Sequence, residues 1–161
     1  MKIGLVPVTR SDAHVLILGS LPGDASLSAK QYYAHPQNQF WTLVSGVIQQ
    51  DLVAVDYATR IVALQVAGIA LWDVIGAANR QGSLDQKIRD AQINDLRGFV
   101  TTLPRLRVIA FNGKKAAASA HNVFEGLAIE ILPLPSSSAA YTLDVSQKAI
   151  AWSKLAGYLT F

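Results

Sequence analysis

The sequence of 161 residues contains no cysteine. Without thiols the chain cannot form disulfides, iron–sulfur clusters or thiolate zinc sites, and it has no thiol nucleophile. Its three histidines, His14, His35 and His121, are too scattered along the chain to suggest a zinc site. We therefore predict neither a metal nor a cofactor.

The chain also lacks an apolar run of about 18 residues, the length that a membrane-spanning helix requires. Its first residues form a short apolar patch that is interrupted by Pro7, Arg10 and Asp12, which is not the pattern of a signal peptide. We expect a cytoplasmic protein that does not bind membranes. The sequence shows no repeats and no linker, which predicts a single domain over residues 1–161, and we expect this domain to be a monomer.

Charged residues are few, 16% of the chain, whereas 51% of the residues are hydrophobic. This composition suffices for the core of one globular domain. The formal net charge of +3 permits a polyanionic partner without requiring one.

Short apolar runs alternate with helical patterns along the chain. Buried strands are predicted at 15–18, 68–73, 107–111 and 128–132, and helices at 40–48, 56–67, 95–103 and 114–123. A last helix carries apolar residues at helical spacing from Val145 to Leu159, with Asp144 and Gln147 as a variant capping box. The polar segment 77–94 reads as irregular with a short helix. This order predicts an α/β fold with three αβα layers and a central four-stranded parallel sheet.

Polar residues follow each predicted strand. They are Gly19 and Ser20, Asp73, Asn112, and the run Ser136, Ser137 and Ser138. In open α/β sheets, ligands bind at the carboxyl ends of the strands, so these residues are expected to converge on a site. Gly19 and Gly23 are expected to adopt conformations that turn backbone N–H groups toward a ligand, although an ordinary tight turn explains them equally well.

The combination of these strand ends with one further segment resembles a known family. The chain is similar to the uracil-DNA glycosylase superfamily, and most of all to its hypoxanthine-DNA (deoxyinosine) glycosylase branch. The resemblance follows chain order, and its most specific segment runs from Gln31 to Trp41. The matching segments read GSLPG at 19–23, QYY at 31–33, HPQNQFW at 35–41, LWDV at 71–74, GSLD at 82–85, FNGKKA at 111–116 and LPSSS at 134–138.

The resemblance implies that the chain binds DNA, flips a deaminated base out of the duplex and hydrolyses its N-glycosidic bond without a metal or cofactor. The expected base is hypoxanthine. Two alternatives stay open within the family, namely a uracil or mismatch-specific uracil-DNA glycosylase and a catalytically inactive DNA-binding homologue. A hydrolase of small molecules is a third alternative, but the sequence offers no Ser-His-Asp set for it.

Asn38 matches the catalytic asparagine of the deoxyinosine branch. Because an amide is a poor base, the resemblance implies that Asn38 holds the attacking water or stabilises the positive charge that develops on the sugar. From the residues alone, a helix cap before Phe40 is the more common use of asparagine.

The resemblance also implies roles in base binding for four residues. Phe40 is expected to stack on the flipped base, although a phenylalanine on an apolar helix stripe is usually a core residue. Asp73 is expected to accept the N1–H of hypoxanthine, or else to be a simple turn residue. Gly19 and Ser20 are expected to contact the base or a water.

The serine run is expected to contact DNA phosphates through the hydroxyl and N–H groups of Ser136, Ser137 and Ser138, with a solvated loop as the alternative. Two positions depart from the uracil-specific enzymes. Leu21 replaces their water-activating Asp or Asn, and Leu134 replaces the histidine that often leads their serine loop. These differences shift the expected chemistry toward Asn38 and away from strong uracil excision.

Overall fold

The computed structural model describes residues 1–120 and 122–159. In chain order the strands are Lys2–Ile3 (β1), Val15–Gly19 (β2), Ile69–Asp73 (β3), Ile75–Arg80 (β4), Ile88–Ile93 (β5), Val108–Asn112 (β6) and Glu130–Leu134 (β7). The helices are Asp24–Ala29 (α1), Phe40–Ile48 (α2), Tyr57–Ala67 (α3), Leu96–Val100 (α4), Lys114–Ser119 (α5), Val145–Trp152 (α6) and Ala156–Leu159 (α7). Single 3₁₀ turns lie at Asp85–Lys87 and Ser153–Leu155.

The central sheet is parallel and has the strand order β3-β2-β6-β7. Every residue of β2 is buried, as expected for a continuous apolar run in the middle of a parallel sheet. The register pairs Gly19 with Asp73, and Leu18 with Phe111. The strand ends that carry polar residues therefore meet at one edge of the sheet.

Helices cover both faces of this sheet. Side chains alternate along β2, so that Leu16 and Leu18 face one hydrophobic core with Leu96 of α4 and Ala116 of α5. The opposite core receives Val15 and Ile17 from the strand and residues of α2, α3 and α6, including Phe40, Leu64 and Trp152. The prediction of three αβα layers around a four-stranded parallel sheet is confirmed. None of the helices in the described part of the chain is long and apolar enough to cross a bilayer.

The prediction of an irregular segment at 77–94 is wrong. β4 and β5 pair there as antiparallel strands, and β1 joins them in a second sheet with the order β1-β4-β5. Two shifts of register interrupt the pairing within β4, and β5 buries only its first residue, Ile88. Neither strand could therefore show the apolar alternation by which strands are recognised.

Several predicted boundaries move. The helix expected over 114–123 ends at Ser119, and the strand expected over 128–132 lies at Glu130–Leu134. That strand continues through Pro133, which an edge strand tolerates because the missing N–H can face away from the ladder. The predicted capping box is wrong, since the carboxylate of Asp144 accepts from Ser146 Oγ and makes no side-chain cap.

Candidate active site

The carboxyl ends of β2, β3 and β6 open into a cavity of about 310 Å³. The loops that follow β2, β4 and β7 and the segment that precedes α2 form most of its remaining walls. The lining residues include Gly19, Ser20, Tyr33, Asn38, Asp73, Asp85, Asn112, Ser136, Ser137 and Ser138. The structure thus brings together every residue predicted for the site except Phe40.

Hydrogen bonds connect three of the lining residues across different elements. Asn112 at the end of β6 accepts the Ser137 N–H at its Oδ1 and donates from Nδ2 to Ser137 Oγ, both at 2.9 Å. Ser137 Oγ in turn donates to Asn38 Oδ1 at 2.8 Å. Asn112 therefore holds Ser137, and Ser137 holds Asn38, in fixed orientations.

The amide of Asn38 is oriented by two donors. Besides Ser137 Oγ, the backbone N–H of Phe40, the first residue of α2, donates to Asn38 Oδ1 at 2.9 Å. A backbone N–H must meet the oxygen of an amide, which settles which end of the side chain is which. Both lone pairs of Oδ1 are then in use, and Nδ2 donates to no group in the described part of the chain. Asn38 thus makes the contact at the helix start and also lines the cavity.

Phe40 lies behind the cavity and not in its wall. It is fully buried, and its ring stacks on that of Tyr33 with a centroid distance of 3.9 Å and an interplanar angle of 14°. Tyr33 itself lines the cavity. The prediction that Phe40 meets the ligand fails in this geometry, because Tyr33 covers one face of the Phe40 ring.

Tyr33 is held in a conformation that is uncommon for a residue with a side chain. Its φ is +53°, in the left-handed region. Its hydroxyl accepts a hydrogen bond from Asn112 Nδ2 at 3.2 Å, and its carbonyl accepts one from Trp41 Nε1 at 3.2 Å. Backbone strain of this kind persists where several contacts over-determine it and is concentrated at functional sites.

Asp73 is a buried carboxyl without a hydrogen-bond donor at its Oδ2. Burial, together with the negative charge of Asp85, raises the pKa of Asp73 to about 7, while the charge of Arg80 opposes this shift. Buried polar atoms are normally paired, so an unpaired one in a cavity wall points to a ligand group.

Gly19 provides space and not an unusual backbone. It ends β2, and its φ is not positive, nor is that of Gly23, so the predicted turning of N–H groups by these glycines is wrong. A Cβ at residue 19 would lie 2.6 Å from Asp73 Oδ1 and 3.1 Å from the Tyr33 hydroxyl. Only glycine lets these two side chains approach the end of the strand.

On the side of the cavity that the loops after β2 and β4 form, Ser20 and the buried Arg80 hold these loops in place. Ser20 Oγ donates to Asp85 Oδ1 at 2.7 Å, which connects the end of β2 to the loop before β5. The guanidinium of Arg80 is buried and donates to the carbonyls of Leu21, Pro22 and Gly82. The hydroxyl of Ser20 is therefore committed to a protein partner.

The three serines differ in what they can offer a ligand. Ser137 is 1% exposed, and its N–H, carbonyl and hydroxyl are all bonded to Asn112, Gln39 and Asn38. It has no group left for a phosphate. The predicted contact of Ser137 with DNA is therefore corrected, because Ser137 instead bridges Asn112 and Asn38. Ser136 and Ser138 are half-buried and line the cavity.

Sequence reasoning expected Asn112 at the site as a polar strand end but gave it no specific role, and it assigned nothing to Tyr33 or Asp85, although it noted the segments that contain them. For Asn112 the signal was available, since it ends a buried strand. Tyr33 lies in a loop and Asp85 begins a single 3₁₀ turn, and in neither place does a periodicity indicate which side chain faces a cavity. Among the described residues, no group of three or more His, Asp or Glu side chains could hold a metal ion; His121 lies outside them.

The comparisons with known proteins agree with this fold. The family model of the uracil DNA glycosylase superfamily matches residues 6–156. The chain belongs to this superfamily. The family and the fold predicted from the sequence are thereby confirmed.

Similar proteins come from two Methanosarcina species. A protein of Methanosarcina barkeri named hypoxanthine DNA glycosylase is 38% identical over 153 residues, covering 95% of this chain and 96% of that protein. A protein of the same name from Methanosarcina acetivorans is 42% identical over 140 residues, covering 87% and 88%. A solution NMR structure of a Methanosarcina acetivorans protein superposes with a TM-score of 0.89 at 39% identity and covers 98% of each chain.

The raised pKa of Asp73 predicts how stability depends on pH. In the unfolded chain an aspartate has a pKa of about 3.9. Between this value and about 7 the folded state binds the extra proton, so the free energy of unfolding falls as the pH rises through this range. The Asp73→Asn variant lacks this proton, and we expect its stability relative to the wild type to increase by a few kcal/mol from pH 4 to pH 8, since one pKa unit corresponds to about 1.4 kcal/mol.

Urea unfolding at several pH values measures this difference. Asp90→Asn, which removes the charge of an exposed residue, is the control. A constant difference between Asp73→Asn and the wild type at all pH values would contradict the prediction.

Proposed function

We propose that this chain is a monofunctional DNA glycosylase that flips a deaminated base out of DNA and hydrolyses its N-glycosidic bond, with hypoxanthine in deoxyinosine as the preferred substrate. The observation that carries the proposal is the cavity in which Tyr33, Asn38 and Asp73 meet at the ends of the parallel strands. The membership of the superfamily and the two relatives named hypoxanthine DNA glycosylase support it.

The carboxyl of Asp73 suits the base that deamination creates. Deamination of adenine turns N1 from a hydrogen-bond acceptor into an N–H donor, and a carboxylate accepts from such a donor. The unpaired carboxyl then distinguishes hypoxanthine from adenine, because the N1 lone pair of adenine would face a second acceptor. Deaminated bases share this N–H, so Asp73 reads the lesion and the cavity shape selects among the bases.

Tyr33 is the aromatic residue placed to stack on the flipped base. It lines the cavity, while Phe40 supports its other face. The rigidity of this pair suits a stacking surface, since the ring does not have to be ordered when the base arrives.

Asn38 positions the attacking water. Glycosidic bonds break through a transition state in which the sugar carries positive charge, so a weak nucleophile suffices if it is correctly placed. The C1′–N9 bond breaks and the water oxygen bonds to C1′. A proton of the water goes to the departing base and neutralises its negative charge. With Oδ1 held by Ser137 and Phe40, the Nδ2 of Asn38 is the group that holds the water oxygen.

The DNA backbone is bound by Ser136 and Ser138, whose half-buried hydroxyls lie at the cavity rim. Phosphate contacts of this type fix the register of the duplex and carry no sequence information. We place the enzyme with its DNA substrate in the cytoplasm, where it acts as a monomer.

The reaction is tested with duplexes that each contain one deoxyinosine, deoxyuridine or deoxyxanthosine, with abasic sites revealed by alkali. We expect the wild type to release hypoxanthine fastest and Asn38→Ala to lose at least about 100-fold in single-turnover rate, because positioning of the reactants is lost. Binding of DNA should persist in the variant. Binding without cleavage of any of the three bases, by the wild type itself, would favour a catalytically inactive DNA-binding protein.

Stacking is tested at Tyr33. Tyr33→Ala should weaken binding of deoxyinosine DNA by about 1–3 kcal/mol, the value of one base–aromatic contact. Tyr33→Phe keeps the ring and should retain most of the affinity. Fluorescence anisotropy with deoxyinosine and undamaged duplexes separates base binding from backbone binding. Equal losses on the two duplexes would assign Tyr33 to the fold alone.

The space at Gly19 is tested with a methyl group. The Cβ of Gly19→Ala would lie 2.6 Å from Asp73 Oδ1, so the carboxyl must move and the release of hypoxanthine should fall by at least tenfold. Gly23→Ala is the matched control, because its Cβ meets Ser83 at an ordinary 3.5 Å. Equal rates for the two variants would show that the approach of Asp73 to the strand is not required.

A further inference from the structure

One buried cation remains without a role. Lys148 in α6 is 0% exposed, and in the described part of the chain no carboxylate forms an ion pair with it. Its three N–H groups donate to Gln39 Oε1 at 2.8 Å, to the Ser138 carbonyl at 3.1 Å and to the Tyr141 carbonyl at 2.8 Å. Burying a charge that only neutral groups accept is costly, which indicates a requirement for these three contacts together.

The partners of Lys148 belong to the two segments that build the site. Gln39 follows Asn38 directly, and its N–H donates to the Ser137 carbonyl at 2.9 Å. Ser138 and Tyr141 lie in the loop after β7. Lys148 therefore joins the segment that contains Asn38 to the serine loop that follows β7.

The same helix holds the beginning of this loop. One turn beyond Lys148, Trp152 Nε1 donates to the Pro135 carbonyl at 2.9 Å. The indole also meets Phe40 edge-on, with a centroid distance of 5.8 Å. Helix α6 thus fixes the loop at both ends, and the bridge from Ser137 to Asn38 lies between these two attachments.

We infer that Lys148 is a positioning residue, which sets the distance between the serine loop and Asn38 by holding Gln39, Ser138 and Tyr141 on one ammonium group. This inference rests on the proposed function for its effect on catalysis, but its structural part does not. Because Nζ is buried beneath the loop and fully used by these acceptors, it does not contact a DNA phosphate.

The test compares Lys148→Met with the wild type, and uses Lys154→Met, the same change at an exposed lysine, as control. We expect Lys148→Met to fold, to lose about 10- to 100-fold in single-turnover release of hypoxanthine, and to change the KM for deoxyinosine DNA much less. Amide hydrogen exchange should increase at residues 38–40 and 136–141 and stay unchanged in β2 and β6.

Two further measurements separate positioning from other roles. Gln39→Met should by itself reduce the rate of hypoxanthine release. The activation free energy of the double variant should rise by less than the sum of the two single increases, as expected for residues that share one contact. The dependence of DNA binding on salt should keep its slope in Lys148→Met. A slope reduced by about one would overturn the inference and assign Lys148 to a phosphate.

An unchanged rate in a folded Lys148→Met would also overturn it. If that variant does not fold, Gln39→Met, at a half-buried position, decides through its rate and its exchange at residues 136–141. If the wild type itself releases no base, the proposed function fails while the exchange data still decide whether Lys148 joins the two segments.

Discussion

The parallel register of the central sheet is the constraint on which the site depends. It pairs Gly19 with Asp73 and Asn112 with Leu134, so that strands distant in sequence end at the same height. A shift of one residue along β3 would send the Asp73 side chain to the other face of the sheet. The cavity, the carboxyl in its wall and the asparagine that orients Ser137 all follow from this alignment.

Buried polar groups make the site rigid, and each type is satisfied in a different way. Arg80 and Lys148 donate mainly to backbone carbonyls of loops, so these cations fix the shape of the cavity walls. Asp73 is the opposite case, because its Oδ2 meets no donor. The buried cations thus hold the loops in place, whereas the carboxyl of Asp73 remains available to a ligand that enters the cavity.

The layered fold was predictable because three strands of the central sheet, β2, β3 and β6, are almost fully buried and read as continuous apolar runs. The second sheet was not, since β4 carries shifts of register and β5 faces solvent with almost every residue. Within the site, Asp73 and Asn112 were predictable as polar residues at the ends of strands, whereas no pattern in the segment before α2 indicated that Tyr33 lines the cavity. Tyr33 reaches the cavity through a positive φ, which no sequence pattern of side chains reports. Lys148 did lie on the apolar stripe of its helix, between Val145 and Trp152, and this position was the available signal of its burial.

The chemistry proposed for the site follows from what the protein leaves unused. The side-chain amide of Asn112 forms hydrogen bonds with Ser137 and Tyr33, and the amide oxygen of Asn38 accepts hydrogen bonds from Ser137 and Phe40. What remains without a partner in the described part of the chain is an N–H donor on Asn38 and an acceptor on Asp73, two residues that line the cavity. An acceptor in this wall favours a base that presents an N–H, which is the group that deamination adds to adenine. Burial, together with the negative charge of Asp85, raises the pKa of Asp73 to about 7, and the ionised form is the one that accepts an N–H. In the proposed function, selectivity for hypoxanthine over adenine rests on this one hydrogen bond, which forms where adenine has only a lone pair to offer.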